Sequence, residues 1–291
     1  MEISNSTKII VHAVVVLYKT EIDASTTIKS LQNMEEPLLA LSKQYDIGFS
    51  LTVSDNSSEV NETSDKQTIF KEISCDYSPN QGNSGLAAAY NQVLDKLSDQ
   101  DYLLLLDQDT HLSLTYFEEL FATVSKNTQK VSVWVPRMMS EQLQISPIFS
   151  EKVSKSFAEL PEPGVYKEGI MAINSASVFQ AEVLKDMGGF SLDFPLDYLD
   201  HWVFFQLSQN NVPIQVLESQ MPHQLSVMDY NTVSLQRYQS ILDSEYRFYK
   251  EIDASKFSKF RFHLLLRMFK QLLKVKDKKI AHYTLKKFIK G

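Results

Sequence analysis

An apolar run, Leu103 to Leu106, ends abruptly in Asp107-Gln108-Asp109. Two carboxylates two residues apart at the end of a strand face one ligand space if the backbone leaves strand geometry there, and they offer hard oxygen ligands suited to Mg²⁺ or Mn²⁺. The same residues also read as a solvated acidic turn, but their place directly after a buried strand favours chemistry. Cys75 is the single cysteine, which excludes a disulfide framework and any multi-cysteine zinc site and fits a reducing compartment.

Such a turn needs a scaffold, and the hydropathy pattern supplies one. Residues 9–17, nearly all apolar and largely β-branched, predict a strand buried on both faces of a mostly parallel sheet. A helical stretch, Ile22 to Tyr45, follows, with Pro37 expected to break or kink it. The alternation continues with strands at Ile47 to Val53, near Ile73 to Tyr77, at Tyr102 to Leu106 and at Val131 to Val135, and with helices at Leu86 to Leu97 and Leu114 to Val124. Residues 138–169 read as irregular and substrate-facing; a helix from about Leu199 and a strand at Val212 to Leu217 come after. Strands alternating with helices give an open α/β sheet, whose ligands sit beyond the carboxyl ends of the strands. The turns selected by that rule are Tyr18-Lys19-Thr20, Asp55-Asn56-Ser57, Asn80 to Gly85, and Asp107 to Thr110.

The chain has 291 residues, 43% hydrophobic and 22% charged, with net charge -7, a globular composition that excludes fibrous and disordered classes. No window approaches the 18 or so apolar residues of a membrane span. Charge is uneven. Residues 256–291 hold ten Lys, two Arg and one Asp, net +11, which leaves -18 on the other 255. Lys256, Lys259, His263, Arg267, Lys270 and Lys274 recur at helical spacing, with Leu265, Leu266, Phe269, Leu272 and Leu273 broadly opposite. This predicts an amphipathic helix with a basic face, suited to an anionic membrane surface or to packing on the body with its cations solvated. A nucleic-acid partner is not expected, because so acidic a body repels phosphate backbones.

Tyr18 after the first strand, Asp55-Asn56-Ser57 after the second, Asn83-x-Gly85-x-Ala87-x-x-x-Asn91 opening a helix, and Asp107-Gln108-Asp109 occur in an order and spacing that resembles the family 2 glycosyltransferases of the GT-A fold. The Asp-Gln-Asp variant, with Gly188-Gly189-Phe190, Asp197-Tyr198-Leu199-Asp200 and His223-Gln224-Leu225, is most similar to the bacterial rhamnosyltransferase branch. The resemblance covers about residues 9–226. It implies a GT-A catalytic domain over 1–226, with a nucleotide-binding half to about 112 and an acceptor-binding half from about 113 to 226. A C-terminal helical region, 227–291, is basic from 256.

The resemblance also implies roles. Asp55 would accept a hydrogen bond from a pyrimidine imide N–H, while Asn83 and Gly85 would let the backbone pass close to the nucleotide. Tyr18 and Gln108 would contact the nucleotide-sugar. Asp109 would ligate Mg²⁺ or Mn²⁺, Asp107 would contact the ribose or the metal shell, and His223 would complete the metal site. Asp200 would be the general base for an inverting displacement; the competing reading is a carboxylate stabilised by a helix N-terminus. Asp197 would be a helix cap or an acceptor-binding group. Many relatives carry an acidic residue two positions after the base and an arginine six after it, where this chain has Trp202 and Gln206. Trp202 would offer a face for sugar packing or fill the core.

The expected activity is transfer of L-rhamnose from dTDP-rhamnose to a glycan or lipid-linked acceptor in cell-surface polysaccharide synthesis. The expected location is cytoplasmic and peripheral at the inner face of the plasma membrane, with homo-oligomerisation open. Two alternatives stand beside it: a UDP-sugar donor on the same fold, and a catalytically silent GT-A-like binding subunit.

Overall fold

The apolar run after Ile9 forms β1 (Ile10–Leu17), and its alternating side chains enter opposite cores: Val14 and Val16 one, Ala13, Val15 and Leu17 the other. That is why the run is continuous rather than alternating. In this computed structural model, residues 9–57, 69–80, 82–127, 129–150, 160–222 and 233–290 are described.

β1 lies between β2 (Gly48–Asp55) and β4 (Tyr102–Asp107), parallel to both, and β3 (Ser74–Pro79) adds to β2. The register sets Asp55 level with Leu17 and Asp107 level with Val16, so the carboxylates that end β2 and β4 flank the end of the central strand. Past β4 the sheet continues through β10 (Val178–Gln180), β5 (Val133–Ser140), β11 (Ile214–Pro222) and β8 (Gly164–Tyr166), with β6 (Leu143–Ser146) folded back on β5. Among the described residues these nine strands form one sheet. β1 to β5 and β11 run one way; β6, β8 and β10 oppose them. β7 (Ile148–Phe149) and β9 (Ile170–Met171) make a separate small pair.

Helices cover both faces. α1 (Thr26–Asn33), α2 (Glu35–Tyr45) and α4 (Leu114–Lys126) bury Leu31, Leu38, Phe117 and Phe121 against one. α3 (Gly85–Leu94), α5 (Ala181–Asp186) and α6 (Leu199–Gln209) cover the other. That second core extends into α7 (Leu235–Arg247), α8 (Phe257–Lys274) and α9 (Lys278–Lys290) through Tyr238, Phe260, Leu264 and Ile280.

Three sequence expectations need correction. The break between the first helices falls at Met34, not Pro37, which sits in the first turn of α2, where its missing N–H has no intrahelical partner to lose. Part of 138–169 is regular, in the β5–β6 hairpin and β8. The face of α8 turned inward is Phe260, Leu264, Met268 and Gln271, so Leu266, Phe269, Leu272 and Leu273 point out.

Candidate active site

The turn after β4 leaves strand geometry because the start of α1 grips its backbone. Ser25 Oγ donates to the Gln108 carbonyl at 2.7 Å, and the Thr27 amide donates to the same oxygen at 3.3 Å. Thr27 Oγ1 donates to the Asp107 carbonyl and accepts from the Thr110 amide at 2.9 Å. Ser25 also caps α1 through the Ile28 amide. One short segment therefore starts a helix and shapes the acidic turn. Gln108 reaches back to β1, its Oε1 accepting from the Tyr18 amide at 2.9 Å, while the Tyr18 ring stays exposed.

Charge is concentrated here. The Asp107 carboxyl is pushed up to about 6, first by burial, then by the Asp109 carboxylate; a Ser175 hydrogen bond pulls the other way, and Asp200 adds a further upward push. Asp109 is exposed at the turn. From α3, the buried Tyr90 hydroxyl is pushed well up by burial and then by the charges of Asp107 and Asp200. Asp107 thus feels both Asp109, two residues on, and Asp200, about 90 residues away, and like charges at Asp107 are costly without a counter-charge.

On the β2 side, Asp55 is buried at the strand end. Its Oδ1 accepts from the Ser57 amide at 2.9 Å and its Oδ2 from the Tyr77 hydroxyl at 2.7 Å. Asn56 holds the loop beyond: its Nδ2 donates to the Gly85 carbonyl at 3.0 Å, and its Oδ1 accepts from Asn80 at 2.7 Å. Asn83 is exposed and its Oδ1 accepts from the Gly85 amide at 3.2 Å.

The close approach at Gly85 is to protein. Its φ is +84°, and a Cβ there would lie 2.6 Å from the Pro195 carbonyl oxygen, which accepts from the Leu86 amide at 2.6 Å and the Ala87 amide at 3.2 Å. A backbone carbonyl from the segment before α6 so satisfies amides at the start of α3. At the other end of that segment Gly189, with φ +80°, leaves room for Asn91. The two glycines and Asn91 therefore join α3 to the strap that delivers Asp200.

Asp200 occupies the first turn of α6, where the helix dipole favours a carboxylate. Its Oδ1 accepts from the His201 amide at 2.8 Å and lies 3.0 Å from His201 Nδ1; an ionised carboxylate only accepts, so Nδ1 carries the proton in that pairing. The His201 ring stacks on Tyr198 at 4.2 Å between centroids, and Tyr198 itself sits at φ +65°. Asp197 is tied to α7, with Oδ2 at 2.5 Å from Arg237 and 2.7 Å from Ser240 Oγ. Trp202 packs partly buried against the second core. His223 lies outside the described residues, one position past the end of β11.

Several contributors escaped sequence reading. Thr110 and Ser175 share a buried hydrogen bond of 2.7 Å beside Asp107, and the Oδ1 of neighbouring Asn174 is buried without a partner among the described residues. Ser175 lies far along the chain from Asp107, and nothing local signals it. His201, next to Asp200, and Thr27, a hydroxyl in the first turn of α1, carried a local signal that was not taken up. Among the described residues no group of three His, Cys, Asp or Glu side chains closes around a metal position, and no helix is long and apolar enough to cross a membrane.

No protein-family model matches the sequence, and no curated protein matches it. Solved structures do match. S. aureus TarS 1–349 shares 14% identity at a TM-score of 0.52, over 96% of this chain and 88% of that one. GalNAc-T7, solved with UDP, GalNAc and Mn²⁺, shares 12% identity at a TM-score of 0.55, over 98% of this chain and 57% of that one. Both are GT-A-like glycosyltransferases, and the likeness at this identity is one of architecture: the chain has a GT-A-type fold, a mostly parallel sheet between helices with a helical C-terminus.

Proposed function

We propose that this chain is an inverting glycosyltransferase, moving a sugar from a nucleoside-diphosphate donor to an alcohol. The observation that carries the proposal is that Asp107, at the end of β4, lies within electrostatic reach both of Asp109, two residues on, and of Asp200, from the start of α6. The GT-A-type fold puts that arrangement at the carboxyl edge of the sheet, where open α/β folds bind ligands. In this reading Asp200 accepts the proton of the acceptor hydroxyl as its oxygen bonds to the anomeric carbon, and the bond from that carbon to the diphosphate oxygen breaks on the opposite face. His201 orients the carboxylate through Oδ1. Asp55, held at the end of β2 by the Ser57 amide and the Tyr77 hydroxyl, would accept from a pyrimidine imide N–H.

The site's chemistry suits Mg²⁺ or Mn²⁺. Asp107 and Asp109 supply hard oxygens whose mutual repulsion a cation relieves, and a cation held by one or two carboxylates normally completes its shell with water and substrate phosphate. Bound there with the donor, it would supply Lewis-acid neutralisation of the leaving diphosphate. Asp109 would be the ligand, Asp107 the ribose or outer-shell contact, and His223 a further ligand.

The resemblance of residues 188–190, 197–200 and 223–225 to the rhamnosyltransferase branch favours L-rhamnose from dTDP-rhamnose as donor, with a glycan or lipid-linked acceptor, and the basic helical region 256–291 favours peripheral membrane contact. Asp197, committed to Arg237 and Ser240, then shapes the acceptor side by fixing the start of α6 to α7, and Trp202 packs on the second core. The deciding experiment incubates purified protein with dTDP-rhamnose or UDP-sugars and Mn²⁺ while following melting against dTDP and UDP. Stabilisation by dTDP over UDP, with transfer, supports the rhamnosyl reading; UDP preference moves the donor. No stabilisation by either nucleotide overturns the proposal.

A further inference from the structure

One face of α8 is apolar and turned to solvent. Phe262, Leu266, Phe269 and Leu273 are 58%, 48%, 54% and 84% exposed. At 3.6 residues per turn they fall within roughly 60° of arc, forming a ridge of two aromatic and two aliphatic side chains. Exposed Lys259, Lys270 and Lys274 run along one flank of the ridge, and α8 contains no Asp or Glu.

The helix cannot rotate to hide this ridge, because its other face is committed. Phe260 stacks on Tyr249 at 4.6 Å, Gln271 donates to Tyr238 at 2.8 Å and accepts from Thr284 at 2.7 Å, and Arg267 pairs twice with Glu245, at 2.5 and 2.8 Å. The fold thus holds a row of large apolar groups in water, the kind of patch that marks an interaction surface. A second copy placed ridge against ridge would bring lysine rows together with no acid on either helix, which like-charge repulsion opposes. An anionic bilayer interface satisfies both halves of the surface: hydrocarbon for the ridge, headgroup charge for the lysines.

We infer that α8 lies in the plane of an anionic membrane with Phe262, Leu266, Phe269 and Leu273 inserted below the headgroups and Lys259, Lys270 and Lys274 at headgroup level. The inference rests on the reading that residues 256–291 meet a membrane, and it is independent of the donor and the chemistry. It differs from a purely basic contact, since Arg267 and Lys256 are spent on Glu245 and Asp253 within the protein.

The test is co-sedimentation of the full chain with phosphatidylglycerol/phosphatidylcholine vesicles and with phosphatidylcholine vesicles. The native chain should bind the anionic vesicles more tightly. Phe269→Ser with Leu273→Ser should lower partitioning roughly tenfold or more, with melting temperature unchanged. Replacing the three lysines by Gln should weaken binding and flatten its salt dependence. As an independent readout, Phe269→Trp should gain fluorescence that brominated lipid quenches. A native chain that ignores anionic vesicles overturns the membrane reading and the ridge with it. Equal binding by the serine variant, or added indole fluorescence that stays unquenched when the Phe269→Trp chain is bound, overturns the ridge alone. A solution dimer that the serine variant abolishes assigns the ridge to a second copy and also overturns it.

Discussion

Asn91 holds the backbone of Phe190 by both of its polar atoms: Oδ1 accepts from the amide at 2.7 Å and Nδ2 donates to the carbonyl at 2.9 Å. The pair spans 99 residues and mimics one rung of a sheet, made by a helix side chain. With Pro195 over Gly85, it sets the path of the strap that ends at Asp200. Removing the Asn91 amide leaves a buried backbone pair unmet, so Asn91→Ala should cost about 1–3 kcal/mol in urea unfolding. Gly85→Ala should cost at least about 2 kcal/mol, since the positive φ and the collision with a backbone carbonyl add. A Gly85→Ala protein that melts with the native one would show that the strap does not pack on α3 in this way.

If Asp200 takes the acceptor proton, Asp200→Asn should lower kcat by about 10²–10⁴-fold while nucleotide binding, read by melting shift, persists. His201→Phe keeps a ring against Tyr198 and removes the Nδ1 contact, so it should lower kcat with little change in donor KM. Full transfer by Asp200→Asn removes that residue from the base role; a His201→Phe effect confined to KM would mark His201 as a binding group.

Asp107 ties stability to pH and to charge. Its folded value is raised from the usual carboxylate range to about 6, so its favourable contribution is complete below about 4 and is lost as pH rises through about 6. Above that the carboxylate is a net cost, and Asp107→Asn should raise stability at pH 8 by about 2–3 kcal/mol, with no difference at pH 4. The same substitution, and Asp109→Ala more strongly, should weaken Mn²⁺-dependent nucleotide binding. Melting curves of the metal-free proteins across this pH range check the sign, and a gap that shrinks toward pH 8 would contradict it.

What could be read from the sequence was what local pattern encodes. The β-branched run of β1 and the leucines of β4 need burial on both faces, and a carboxylate turn after such a strand points to the ligand edge of the sheet. What could not be read depended on partners brought from afar. The glycine at 85 signals a close approach but not that Pro195 makes it, and Tyr77 and Ser175 reach Asp55 and Asp107 only through the way the chain folds. Pro37 was misread because a proline in a first turn looks, in one dimension, like a proline in a helix interior. In α8 the spacing showed one apolar set, Leu265 to Leu273, opposite a basic one, and only the docking on α7 and Tyr249 shows that Phe260, Leu264 and Met268 are the buried face.

That docking makes the C-terminal helices part of the folded body rather than a removable tail. Phe260 and Leu264 are fully buried in the core that also contains Val14, Leu105 and Phe204, and Tyr238, Gln271 and Thr284 form a buried polar chain joining α7, α8 and α9. Phe260→Ala should therefore cost about 3–5 kcal/mol. Ending the chain near Ser255 would uncover that core and leave Glu245 buried without Arg267, a loss larger still. The truncated protein should unfold at much lower denaturant or aggregate, with nucleotide-induced stabilisation lost as well. A truncated chain that melts like the native one and still binds nucleotide would mean that residues 256–291 form a separate module, and the Phe260 contact would then contribute little to the catalytic fold.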